Sequence, residues 1–99
     1  MLREVDVVVC PTLPLTAFPI EGDRKVLLKG KWEDGVLMCT HHTRHANLTG
    51  APALSVPVGL GDNGMPAGMM IMGARGDDVT VLRVGYAYEK AAPFAYPEF

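Results

Sequence analysis

Three histidines gathered in one short stretch, His41, His42 and His45, are the residues whose types and spacing could do chemistry unaided. On a helix, His41 and His45 share one face, because side chains four positions apart are neighbours, and two imidazoles there could hold a metal ion. The zinc-protease arrangement needs a glutamate directly after the first of two such histidines. Here His42, Thr43 and Arg44 fill the interval, no third ligand stands nearby, and no second Cys/His cluster occurs in the chain. The histidines therefore read as polar residues on a helix near a pocket or surface, and neither a metal nor a cofactor is expected. Ser55 is the only serine. It lies in Leu54-Ser55-Val56 rather than in a Gly-x-Ser-x-Gly elbow, so it reads as a small core residue and not as a nucleophile. Cys10 and Cys39 lack C-x-x-C spacing, and Cys10 closes an apolar run where a thiol behaves as a small hydrophobe. A reduced, cytoplasmic setting is the expectation.

The elements that position these residues can be read in outline. Val5 to Cys10 is a β-branched run halted by Pro11, which predicts a strand. Pro11, Pro14, Pro19, Gly22, Gly30 and Gly35 then predict a loop up to Gly35, ordered only briefly between Lys25 and Lys29. Val36 to Leu48, free of Gly and Pro and followed by Gly50 as a cap, predicts a short helix. Ala53 to Val58 is a second strand, with Pro52 before it and Pro57 within it each removing a ladder donor, so irregular pairing is expected near its end. Asp62-Asn63-Gly64 predicts the turn of a hairpin leading into a third strand, Ala67 to Met72. Asp77 and Asp78 offer a cap and a favourable charge to a helix from Val79 to Ala92, stopped by Pro93. The remaining tail to Phe99, with three aromatics and two prolines, is expected to lie extended against a surface.

With 99 residues, 48% hydrophobic and 20% charged, the chain is in the globular range and holds one domain at most. A net charge of -2 with scattered basic residues gives no cationic stripe, so no direct nucleic-acid partner is expected. No apolar run approaches the ~20 residues that span a bilayer, and Arg3 and Glu4 interrupt the start where a signal peptide is apolar, so no membrane partner is expected either. The strand candidates are apolar on both faces: Val7, Val8 and Val9; Leu54, Val56 and Val58; Met69, Met70, Ile71 and Met72. Such strands belong in a sheet covered on both sides, and two helices can barely cover one. Residues 1–99 thus read as a partial α/β domain, the closing segment of something larger; the competing reading is a self-contained α+β domain sealed by its tail and Pro-rich loop.

Four segments carry a family resemblance: Asp6-Val7-Val8-Val9-Cys10-Pro11-Thr12-Leu13-Pro14; the run from Thr43 through Asn47-Leu48-Thr49-Gly50-Ala51-Pro52-Ala53-Leu54-Ser55-Val56-Pro57-Val58-Gly59; Gly64 to Gly73; and Leu82 to Glu89. Together they resemble the C-terminal part of the amidase signature family, which includes bacterial amidases and the A subunit of glutamyl-tRNA(Gln) amidotransferase. The resemblance implies an α/β fold belonging to a larger mixed sheet, with about three strands and two helices in this part. It also implies amide hydrolysis by a Ser-Ser-Lys triad that lies outside this chain, so no catalytic residue is assigned here. By the same resemblance, the loop after the first strand and the segment leading into Asn47 wall the acyl pocket, which points to Thr12, Leu13, Thr43 and Asn47 as substrate-binding residues. His42 and His45 stand where relatives often carry an aromatic residue and a proline, which leaves the pocket's polarity open.

The resemblance thus implies a structural and pocket-forming segment, inactive alone, whose partners are the N-terminal portion of an amidase and a small amide substrate. The alternative is a free-standing, non-catalytic binding module derived from that fold, burying its open sheet face in a homo-oligomer.

Overall fold

The computed structural model describes residues 4–18, 25–61 and 64–94. In chain order these form strand β1 (Val7–Pro11), a hairpin of β2 (Lys25–Leu28) and β3 (Lys31–Asp34), two short helices α1 (Gly35–Met38) and α2 (Arg44–Thr49), a second hairpin of β4 (Ala53–Leu60) and β5 (Pro66–Gly73), and the long helix α3 (Asp78–Ala91). The three strands expected from their apolar runs make one antiparallel sheet in the order β1-β5-β4. Pro11 and Pro57 both fall on its edge strands, where a missing N–H breaks no central ladder. Pro11 closes β1, and Pro57 sits where the register of β4 slips between Pro57 and Gly59.

Three expectations are corrected. β1 begins two residues later than its apolar run and includes Pro11. The stretch before Gly35 contains a complete hairpin, turned by Lys29 and Gly30 at φ 52° and 76°. Two consecutive positive φ values give the two-residue turn whose twist matches paired strands, but lysine in place of Asn or Asp hides it from a sequence reading. The single helix from Val36 to Leu48 is broken into α1 and α2. Threonine hydroxyls compete there with the helical ladder: Thr40 Oγ1 donates to Leu37 O at 3.1 Å, and Arg44 Nη2 donates to Thr40 Oγ1 at 3.0 Å. Gly50 does cap α2, at φ 73° with its N–H on Ala46 O. Residues 62–63 and 95–99, and with them part of the hairpin turn and most of the tail, lie outside the described residues.

Antiparallel pairing sorts side chains onto two faces, since residues directly opposite share a side. Leu54, Ile71 and Val9 lie in one row, and Ser55, Met70 and Cys10 in the next row on the other face. Helix α3 covers the first face over β4 and β5. Val81, in close contact with Gly73, and Gly85, against Leu54, bring the helix near because neither glycine carries a side chain. Ile71 is fully buried beneath it. Val9 of β1, on the same face, stays 53% exposed. Leu82 and Tyr86, one helical turn apart on α3, are likewise about 60% exposed, so the helix carries a second apolar stripe that lines an open cavity with Leu54 and Val56 of β4.

The overall dimensions agree. The accessible surface is 7663 Å², against about 5,500 Å² for a compact protein of this mass. The radius of gyration is 15.1 Å, against about 13 Å for a compact domain of this length. Among the described residues the buried hydrophobic side chains are Met70, Ile71 and Val81.

At the start of α3, Asp77 accepts from Thr80 N at 3.3 Å and from the Thr80 hydroxyl at 2.7 Å. Asp77→Ala removes both bonds and is expected to lower stability by about 1 kcal/mol, read as a reduced thermal midpoint of the protein. Asp77→Ser, which still caps, should recover most of that loss.

Candidate functional site

The face of the sheet opposite α3 opens into a cleft of about 880 Å³. One wall is the chain leaving β1. Thr12 N donates to Gly68 O at 3.0 Å, extending the ladder one residue beyond Pro11, and the loop then turns to place Leu13 and Phe18 along the cleft. The floor is the sheet itself, with Ser55 of β4 and Ala67 and Gly68 of β5, and Cys39, just after α1, closes another side.

At the centre of this floor the Thr12 and Ser55 hydroxyls meet at 2.6 Å. They come from the two edges of the sheet, and only the bare Cα of Gly68 between them lets them touch. A Cβ at Gly68 would stand 3.0 Å from Ser55 Oγ and 3.1 Å from Thr12 Oγ1. The rest of the cleft surface is apolar or weakly polar, and none of the described residues lining it carries a charge.

Of the sequence-derived candidates, Thr12 and Leu13 line this cleft together, whereas Thr43 and Asn47 are not among its lining residues. Thr43 precedes α2 and its hydroxyl donates to Thr40 O at 3.4 Å; Asn47 is exposed on α2. The histidines do not share a helix face, since His41 and His42 lie in the turn between α1 and α2 while His45 is inside α2. The His41 and His42 rings lie 5.1 Å apart at a tilt, and His42 Nδ1 donates to Pro11 O at 2.8 Å. That bond gives His42 a positioning role: it ties the α1–α2 turn to the end of β1, beside Thr12. Among the described residues no group of three or more His, Cys, Asp or Glu side chains could hold a metal ion.

Sequence reasoning missed Ser55 as a cleft residue, together with Gly68 and Cys39. The signal available was the strand alternation, which puts Ser55 on the face away from Leu54 and Val56, combined with a glycine in the neighbouring apolar strand.

Comparison with known proteins gives consistent results. The protein family described as Amidase matches residues 1–82. The chain is 43% identical over 94 residues to the glutamyl-tRNA(Gln) amidotransferase A subunit of Brevibacillus brevis, a match covering 95% of this chain and 18% of that protein. It is 46% identical over 89 residues to an uncharacterized protein in the nthA 5' region of Rhodococcus erythropolis, covering 90% of this chain and 43% of that one. An amidase crystal structure superposes with a TM-score of 0.84 at 33% identity, over 92% of this chain and 20% of the other. The chain therefore spans about a fifth to two fifths of the length of these relatives.

Gly68→Ala should force the two hydroxyls apart and lower stability by about 1 kcal/mol, the net worth of one hydrogen bond. The same change made on Ser55→Ala should cost less than on the parent, because the bond it disrupts is already gone. Equal costs in both backgrounds, measured by denaturant unfolding, would show that Gly68 does not support the pair.

Proposed function

We propose that this chain, which belongs to the amidase family, supplies the sheet floor and one wall of the acyl pocket of an amide hydrolase whose catalytic residues lie outside it. The observation that carries the reading is the cleft built from Thr12, Leu13, Ser55 and Gly68, in a chain whose single serine already shares its hydroxyl with Thr12. A nucleophilic serine needs a base within reach that can take its proton, and a threonine hydroxyl is no such base. No candidate pair of serines exists in the chain, so the family chemistry must come from elsewhere. Thr43 and Asn47 belong to the same proposal one layer out, on the segment that His42 ties to the cleft rim.

In this reading residues 1–99 are one part of a larger domain, and the sheet surface that α3 leaves open is covered by the remainder of the enzyme. No helix among the described residues is long and apolar enough to cross a membrane. Cys10 and Cys39 are free thiols, which supports a reducing, cytoplasmic setting. The uncovered Val9 and the exposed stripe of Leu82 and Tyr86 also favour a second reading, in which a homo-oligomer provides the cover and the chain is a non-catalytic module.

The purified chain is expected to hydrolyse no amide, and activity is expected to appear when it is joined to, or mixed with, the segments that precede the matched region in its longer relatives. Turnover by the chain alone would overturn the assignment of catalysis to other segments. A concentration-independent dimer that stays inactive in every combination would favour the module.

A further inference from the structure

Resting on the pocket assignment just made, we infer that the cleft selects uncharged acyl groups and that the Thr12–Ser55 hydroxyl pair is its polar anchor, donating to a neutral acceptor on the substrate. The first part follows from charge. None of the described residues lining the cleft carries a carboxylate, ammonium, guanidinium or imidazole group, and the walls are built from side chains such as Leu13, Leu15, Phe18 and Ala67. A substrate carboxylate resting on this floor and wall would leave water and meet no cation among the described residues that line them, at a cost of several kcal/mol. An amino acid side chain amide, with its own carboxylate and ammonium, is a poor fit to such walls. A neutral alkyl or ester-bearing acyl group fits well.

The second part follows from counting protons. Two hydroxyls carry two O–H donors, and their mutual bond at 2.6 Å uses one. The oxygen that accepts keeps its own proton, and among the described residues neither hydroxyl has another hydrogen-bond partner. Ser55 is exposed and Thr12 half-buried, so the spare donor stands at the cleft surface, which Thr16 also lines. A hydroxyl already polarised by a neighbour is the better donor. Apolar walls with one or two fixed polar groups are the usual composition of a small-molecule site.

The test uses the active enzyme that contains this chain and three primary amides of matched length: adipamic acid, its methyl ester, and hexanamide. The ester is expected to be turned over with a kcat/KM about 100-fold or more above that of the acid, the charge penalty expressed as a rate ratio. It should also exceed hexanamide by about 3- to 10-fold, the contribution of one hydrogen bond. The double variant Thr12→Val/Ser55→Ala should erase the advantage of the ester over hexanamide, chiefly through KM, whereas either single change, which still leaves one O–H free, should only reduce it. Leu13→Arg should raise the acid relative to the ester by about 10-fold or more. Equal or preferred turnover of the acid by the parent enzyme would overturn the inference while leaving the amidase reading intact. If no amide is hydrolysed, the amidase reading fails instead. Calorimetric binding of the acid and the ester to the same protein then decides the cleft inference, which is upheld by tighter binding of the ester and overturned by equal or tighter binding of the acid.

Discussion

Pairing of β5 with β1 on one edge and β4 on the other is the constraint from which the remaining geometry follows. Because side chains alternate along a strand, the register that sets Leu54 beside Ile71 beneath α3 also sends Ser55, Gly68 and Thr12 to the opposite side. A slip of one residue in β5 would turn Ile71, the one side chain that is wholly enclosed among the described residues, away from the helix and take Gly68 from between the two hydroxyls. The packing that stabilises one face and the polar pair that marks the other are thus two results of a single alignment. Glycines serve both: Gly73 and Gly85 let α3 approach, and Gly68 lets two hydroxyls meet across a strand.

What the sequence made legible depended on whether the physics was local. The β-branched run of β1, the Asp77 cap of α3 and the Gly50 cap of α2 are short-range signals; both caps appear where the residues place them, and the strand appears with its bounds moved to Val7–Pro11. The β2–β3 hairpin was hidden because its turn places a lysine at positive φ, a conformation that side chains other than Asn or Asp seldom announce. The break between α1 and α2 was hidden for another reason. It arises from threonine side chains bonding back to the main chain, a competition that helix propensity registers only weakly.

The cleft was legible only in part. Thr12 and Leu13 could be singled out by family resemblance, and they do line it together. For Ser55 the strand alternation gave only its face; its role depends on a partner 43 residues away and on the missing side chain of Gly68, which only the sheet register brings together. Thr43 and Asn47, singled out by the same resemblance, stand apart from the cleft; the segment that carries them is held against it through His42 and the carbonyl of Pro11. That link gives one histidine of the cluster a structural contact with the end of β1.

An open sheet and a helix with a second apolar stripe both signal that cover comes from outside the described residues. Val9, Leu82 and Tyr86 are each more than half exposed, and the surface is larger than that of a sealed domain of this mass. The most direct measurement is fluorescence titration with a dye that brightens on apolar protein surface, performed on the isolated chain and repeated after the remaining enzyme segments are supplied. Strong binding by the chain alone, suppressed once those segments are present, is the predicted result. A monodisperse monomer that leaves the dye dark from the outset would contradict the account.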